Sequence, residues 1–141
     1  MLEMFFTTFI FLVMIFIAII HIYWLRGGLY PGENYQDLVD KVLGIGDKLP
    51  NTFMFIFVII VFILMAIFPI LIYFNINITG YEKEIVLFFA VIFFIRFSYM
   101  FIPFISSKIT PVFLELNKKI YAPLCLSLSV SYFYLYLIFL I

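Results

Sequence analysis

Four long apolar runs, separated by short polar segments, limit what this chain can fold into. They cover residues 4–25, 52–74, 85–105 and 121–141. The first run holds 22 residues. As an α-helix it reaches about 33 Å, which is enough to cross a hydrocarbon core of about 30 Å. The pattern therefore predicts four membrane-spanning helices.

The composition agrees with a chain whose surface faces lipid. Hydrophobic residues make up 67% of the sequence and charged residues 11%, whereas a soluble domain has about 45–50% and about 25%. The net charge is zero, so the electrostatics give no support for a nucleic-acid partner. We predict an all-α integral membrane protein, a four-helix bundle that forms a single domain over residues 1–141.

The first polar segment, residues 26–51, contains a second kind of helical pattern. Apolar side chains recur there at i, i+3, i+4, i+7 and i+8, at Tyr35, Leu38, Val39, Val42 and Leu43. Charged residues lie between them, and Gly44 and Gly46 follow. The spacing predicts a short amphipathic helix at the membrane interface.

The basic residues predict the orientation of the chain. Segments 26–51 and 106–120 lie on one side of the membrane and carry six of them: Arg26, Lys41, Lys48, Lys108, Lys118 and Lys119. The opposite side carries Lys83. Because cytoplasmic loops are enriched in Lys and Arg, we expect both segments in the cytoplasm and both termini outside.

This topology brings several polar or aromatic side chains to the cytoplasmic half of the bundle. His21 lies about one turn inside the end of the first run, and Arg96 lies about 12 Å inside the end of the third. Six side chains are candidates for one ligand-binding cavity that faces the cytoplasm: His21, Trp24, Arg96, Tyr99, Tyr121 and Cys125.

Arg96 is the most informative of these candidates. A charge inside the membrane costs roughly 3 kcal/mol on insertion scales and usually has a partner, yet the four runs contain no Asp or Glu. One interpretation is that Arg96 snorkels and ties its helix to the neighbouring helices. The other is that its guanidinium binds the anionic head group of a lipid or amphiphile.

His21 and Cys125 restrict the chemistry further. One histidine and one cysteine exclude a multi-histidine metal site and an internal disulfide, and we expect no metal and no cofactor. His21 is either a neutral imidazole bonded to a neighbouring helix or a general base or proton relay. We interpret Trp24 as an interface anchor and Cys125 as a small buried hydrophobe.

Two motifs at opposite ends of the chain carry a family resemblance. The octapeptide that starts at His21, His-Ile-Tyr-Trp-Leu-Arg-Gly-Gly, resembles the His-x-Tyr-Trp-x-x-Gly-Gly signature of small bacterial membrane proteins in domain-of-unknown-function family 3995. The stretch 113–126, Phe-Leu-Glu-Leu-Asn-Lys-Lys-Ile-Tyr-Ala-Pro-Leu-Cys-Leu, is similar to that family's Phe-x-x-x-Asp-x-x-x-Tyr-Ser-Pro-Leu-Cys-Leu. The resemblance covers nearly the whole chain.

The resemblance implies a four-helix protein of the bacterial inner membrane and supplies no activity. Two positions depart from the family pattern. Asn117 stands where the family has Asp, and Phe97-Ser98-Tyr99 follows Arg96 where the family has Gly-Asp-Phe. We therefore expect no role here for those two acids.

Three functions remain open at this point. The first is a non-catalytic protein that binds a membrane lipid or another anionic amphiphile at the cytoplasmic site, or docks a membrane-protein partner or a second copy of itself. The second is an intramembrane enzyme that acts on a lipid-like substrate through His21 with Tyr99 or Tyr121. The third is a small transporter subunit, which ranks last because ion-coupled carriers place carboxylates inside their spans.

Overall fold

A computed structural model describes residues 1–140 and confirms the all-α prediction. Its helices are α1 (Leu2–Leu25), α2 (Tyr35–Val42), α3 (Thr52–Tyr73), α4 (Glu82–Ser98), α5 (Pro103–Ser106), α6 (Pro111–Leu116) and α7 (Ala122–Leu140). A short 3₁₀ turn, Tyr99–Phe101, follows α4, and a π-helical segment, Asn117–Tyr121, joins α6 to α7.

The long helices α1, α3, α4 and α7 pack against one another. α1 lies along α3 and α4 lies along α7, while further contacts join α1 to α7 and α3 to α4. The side chains between them form one apolar core, whose most buried members include Ile10, Met14, Val86, Leu128 and Tyr132. Large apolar side chains also cover the outer faces of these helices, as expected for a surface that lies in lipid.

Pro69 shows how α3 and α7 depend on each other. A proline inside a helix has no N–H for the carbonyl four residues earlier, which here belongs to Met65. The hydroxyl of Tyr132 on α7 donates to that carbonyl over 2.7 Å. The neighbouring helix therefore supplies the hydrogen bond that α3 lacks, as membrane helices that contain proline require. A second hydrogen bond joins α7 to α4, because the hydroxyl of Ser129 donates to the Ala90 carbonyl over 2.8 Å.

The predicted amphipathic helix is present as α2. The side chain of Asn34 caps it by accepting a hydrogen bond from the N–H of Asp37 at 3.0 Å. Its apolar residues Leu38 and Val39 are buried, and α2 packs against α6. Much of its apolar face therefore meets protein, and the interfacial position of α2 stays a prediction.

The helix that fills the third apolar run is shorter than the run. α4 ends at Ser98, and the 3₁₀ turn and α5 follow. The reason is Pro103, because a residue that precedes proline is disfavoured in the helical conformation. Ile102 is accordingly extended, with φ −79° and ψ 116°. One consequence is that Arg96 lies in the last turn of α4, nearer the helix end than the run predicts.

The segment 106–120, expected to be a loop, is helical over much of its length. Pro111 opens α6, a position where its missing N–H costs little. The chain then widens into the π segment, where the N–H of Ala122 bonds the carbonyl of Asn117. Pro123 follows and has no N–H for the Lys119 carbonyl, so the wider turn occurs where regular α-helical bonding is already broken.

Within residues 1–140, three helices are long and apolar enough to cross a membrane. They are Leu2–Leu25, Thr52–Tyr73 and the composite helix Pro111–Ile138, with mean hydropathies of 2.7, 3.4 and 1.4. The protein is therefore an all-α membrane protein. We name its two ends by their connections: the loop end carries α2, α5 and α6, and the turn end carries the turn 74–81 between α3 and α4.

Candidate functional site

The octapeptide at the end of α1 builds a turn that folds the chain back onto its helix. The indole Nε1 of Trp24 donates to the carbonyl of Tyr30 over 2.7 Å. Gly28 lies directly on the ring of Tyr23, where an added Cβ would clash with the ring atoms. These residues of the motif therefore have a structural role, since they fix the path of the chain as it leaves α1.

His21 sits in an aromatic cluster between α1 and α3. Its Nδ1 donates to the carbonyl of Ile17 in its own helix over 2.7 Å. Its ring centroid lies 5.0 Å from that of Trp24, 5.0 Å from that of Phe62 and 6.2 Å from that of Phe55. The hydrogen bond and the aromatic contacts are those of a side chain packed between two helices.

Arg96 is held by two aromatic rings and one amide. Its guanidinium carbon lies 5.0 Å from the centroid of Tyr99 and 5.7 Å from that of Phe113. Its Nη1 donates to Oδ1 of Asn117 over 3.2 Å. In the part of the chain that the structure describes, ion pairs join Lys41 to Asp37 and Lys119 to Glu115, and neither of them neutralises Arg96.

Asn117 is the residue of this site that the sequence did not reveal as a ligand of Arg96. It is only 3% exposed and lies at the start of the π segment. The wider turn that begins there sets which residues of this helix face α4. The signal in the sequence was the place of Asn117 in the second motif, but nothing in the motif pairs this residue with Arg96.

Tyr121 and Cys125 lie on the same side of the molecule as Arg96. The ring of Tyr121 packs against that of Phe113, with centroids 5.5 Å apart. Its hydroxyl donates to the carbonyl of Lys41 over 3.0 Å and so ties the π segment to α2. Cys125 is half-buried and packs against the apolar core, as its interpretation as a small hydrophobe requires.

The two polar segments at the loop end are joined by their backbones. Thr110 donates its N–H to the Gly44 carbonyl over 2.8 Å and its hydroxyl to the Asp40 carbonyl over 2.8 Å. Gly44, with φ +70°, lies against Phe113, where a Cβ would come within 2.5 Å of the ring. This junction positions Phe113, and Phe113 in turn forms one wall around Arg96.

Five of the six candidates therefore lie in two groups. Arg96 and Tyr99 contact each other, and Phe113 contacts both Arg96 and Tyr121. His21 and Trp24 contact each other in the α1–α3 cluster. That all six line one cavity stays a prediction, because the contacts described above do not join the two groups.

The other charged side chains at the loop end differ in how they are paired. Lys119 donates to the Glu115 carboxylate over 2.6 Å. The Lys108 ammonium lies 4.1 Å from the ring centroid of Phe104, and Lys118 is exposed. The loop end thus presents cations and aromatic rings together.

Fold and composition define this molecule as an all-α membrane protein with a cationic, aromatic site at its loop end. The chain belongs to the family described as "Protein of unknown function (DUF3995)", whose model matches residues 14–132. This result confirms the family that the two motifs indicate. No curated protein and no solved structure matches the chain.

Proposed function

We propose that this protein binds the anionic head group of a membrane lipid or similar amphiphile at Arg96, at the cytoplasmic edge of the membrane. The observation that carries the proposal is a guanidinium whose side-chain hydrogen-bond partner is the neutral amide of Asn117. A guanidinium has five N–H donors, and that bond uses one of them. Phosphate or carboxylate oxygens match the remaining donors in geometry and charge.

The position of Arg96 suits a head group. It lies in the last turn of α4, at the end of the molecule that carries most of the basic residues. If that end faces the cytoplasm, as the distribution of Lys and Arg favours, Arg96 lies near the inner head groups. In this orientation the protein is a multi-span protein of the inner membrane with both termini outside.

A fourth crossing by α4 is part of the proposal. The apolar part of α4 begins at Ile85, and the helix lies along α7. Phe88, Phe94 and Ile95 are exposed on it, as lipid-facing side chains would be. The bent segment 99–106 then brings the chain out at the loop end.

The surface beside Arg96 supports an amphiphile rather than a small soluble anion. Phe101, Ile102 and Phe104 are 65%, 48% and 70% exposed in the bent segment that follows α4. Exposed apolar side chains next to a cation suit a ligand that has a charged head and an apolar tail. The aromatic rings of Tyr99 and Phe113 hold the guanidinium in place.

Native mass spectrometry tests this proposal on the full chain released from vesicles of phosphatidylglycerol and phosphatidylcholine. We expect the wild type to retain phosphatidylglycerol preferentially and Arg96→Leu to reduce that retention by about tenfold or more, since a charged hydrogen bond contributes about 1.5–3 kcal/mol. Arg26→Leu is the matched control, because it removes an exposed arginine at the same end and should leave retention unchanged.

A second variant separates binding from folding. Asn117→Asp places a carboxylate where the amide now accepts from Arg96, so the guanidinium gains an internal counter-charge and loses its attraction for an anion. Phosphatidylglycerol retention should fall although Arg96 is present. Retention unchanged in both Arg96→Leu and Asn117→Asp, or equal retention of phosphatidylcholine, would contradict the proposal.

A further inference from the structure

The turn end holds two adjoining cavities that the proposed function does not use. The first, of about 200 Å³, lies among α1, the end of α3 and the end of α7, and its polar lining residues are Glu3, Thr7, Tyr73 and Asn75. The second, of about 300 Å³, lies between α1 and α3 and shares Thr7 and Tyr73 with the first.

Thr7 is the observation that points to a ligand. Its side chain is only 7% exposed, and its Oγ1 has no hydrogen-bond partner among the residues that the structure describes. Burial of a hydroxyl is unfavourable unless the hydroxyl is hydrogen-bonded. Because Thr7 lines both cavities, a molecule in either cavity is placed to supply the missing bond.

The smaller cavity offers hydrogen-bond acceptors and one negative charge. Its lining includes Glu3, Asn75, Thr7 and Tyr73, whose side chains carry a carboxylate, an amide oxygen and two hydroxyl oxygens. The residues that line it in residues 1–140 include one acid and no Lys, Arg or His. A cationic group that carries several N–H donors complements this set of oxygens.

The larger cavity continues the smaller one with apolar walls. Its apolar lining residues are Met4, Phe11, Ile70 and Phe74, and Thr7, Thr8 and Tyr73 complete the lining. An alkyl chain fits such a lining because its burial there removes apolar surface from water. The pair of cavities is therefore polar and acidic at one end and apolar at the other.

We propose that the turn end binds a primary ammonium group carried on an alkyl chain. The ammonium donates to Glu3 and Thr7 in the smaller cavity, and the chain lies in the larger one. Two sources share this chemistry: the head of an aminophospholipid such as phosphatidylethanolamine, and a free alkylamine. The site is independent of Arg96, which lies at the opposite end of α4.

Methyl NMR on the full chain tests the site in phosphatidylcholine bicelles, whose quaternary ammonium has no N–H to donate. We expect hexylammonium to shift the Thr7 methyl signal saturably. Hexanol, with the same chain and no charge, should not do so. Bicelles that contain phosphatidylethanolamine identify the source: a shift of the same signal that weakens the response to hexylammonium indicates the lipid, and an unchanged response indicates the free amine.

Variants decide whether the charge at Glu3 matters. Glu3→Gln should weaken hexylammonium binding by about tenfold, whereas Glu84→Gln, an exposed acid in the first turn of α4 at the same end, should not. Thr7→Val keeps the shape without the hydroxyl and should weaken binding when it is followed on the Met4 methyl.

Three results would overturn this inference: a Thr7 signal that neither compound moves, equal shifts by hexanol, or full binding by Glu3→Gln. Each would leave the cavities to water or to lipid tails alone. None of them would affect the proposal for Arg96.

Discussion

The two ends of this molecule are held by contacts of different range. At the loop end, hydrogen bonds join residues far apart in the chain, such as Tyr121 to Lys41 and Arg96 to Asn117. At the turn end, the carboxylate of Glu82 accepts from the backbone N–H groups of Ile78, Thr79 and Gly80 over 2.7, 2.6 and 3.2 Å. The turn can therefore form by itself, whereas these two contacts of the loop end form only when the helices have assembled.

The same contrast separates the two polar side chains that the sequence singled out near the loop end. The hydrogen bond of His21 goes to its own helix, and that of Arg96 goes to a residue on the helix opposite. Substitutions at the loop end should therefore have large effects where a long-range contact is lost and small effects where the contact is local.

Gly44→Ala should have the largest effect on stability. The new Cβ would come within 2.5 Å of Phe113, at a residue whose φ is +70°, so strain and overpacking add to about 2–4 kcal/mol in the free energy of unfolding. Equilibrium unfolding in mixed detergent micelles measures this change in the free energy of unfolding. Gly46 has a φ of +80°, and a Cβ added there would have nothing within 4 Å. Gly46→Ala should therefore lower the free energy of unfolding by only about 1 kcal/mol. Equal costs would mean that the junction with Phe113 is not tightly packed.

Tyr121→Phe should have a moderate effect. It removes the hydroxyl that bonds the Lys41 carbonyl and should lower the free energy of unfolding by about 1 kcal/mol. It should also reduce phosphatidylglycerol retention, because the π segment that holds Asn117 loses its tie to α2. Tyr81→Phe, at an exposed tyrosine of the turn end, should change neither quantity. A Tyr121→Phe protein with wild-type unfolding and retention would contradict this role.

Glu82→Gln should have an effect that is confined to the turn end and depends on pH. The N–H of Thr79, with those of Ile78 and Gly80, lowers the pKa of Glu82 from 4.5 to about 2. A carboxyl whose pKa is depressed by folding contributes stability above its unfolded pKa. This contribution is lost as the pH falls from 4.5 towards 2.

The free energy of unfolding, measured between pH 6 and pH 2, tests whether stability falls with the pH in this way. The wild type should lose stability through this window, and Glu82→Gln should start lower and lose less. Glu84→Gln should keep the wild-type slope, since Glu84 is exposed in the same helical turn. A Glu82→Gln protein with the wild-type slope would show that other groups set the acid response.

His21→Phe should have the smallest effect, with a change within about 0.5 kcal/mol and wild-type phosphatidylglycerol retention. A phenyl ring keeps the aromatic contacts with Phe62 and Trp24, and the Ile17 carbonyl that His21 bonds belongs to the same helix. If retention instead falls as far as in Arg96→Leu, His21 and Arg96 share one site, as the sequence predicts.

The apolar runs predicted those helices whose first and last residues are set by the sequence close to them. The run 4–25 corresponds to Leu2–Leu25, and the run 52–74 to Thr52–Tyr73, because length and polarity decide both. The stretch 111–121 was harder, since its Lys, Glu and Asn side chains resemble those of a loop. Its helix forms with Phe113 buried against the junction at Gly44, a contact that sequence periodicity does not record.

The sequence likewise predicted only part of the candidate site. Arg96 was evident as a cation in an apolar run, and Tyr99 three residues later shares its helix face. The sequence could not identify Asn117 as the partner of Arg96. Which residue faces Arg96 depends on the π-helical turn before Pro123, and that turn is not evident from the sequence. The sequence grouped His21 with Arg96 because both lie inside the same end of their apolar runs. Depth in the membrane does not determine the direction in which a side chain points.

The bond between Tyr132 and the Met65 carbonyl bears on how the protein is made. α3 leaves the ribosome before α7, so when α3 enters lipid its Met65 carbonyl has no partner for the hydrogen bond that Pro69 removes. α3 therefore carries an unsatisfied polar group in hydrocarbon until α7 is inserted beside it. α7 thus stabilises α3 after both are in the membrane, and a protein truncated before Tyr132 should be degraded by membrane quality control.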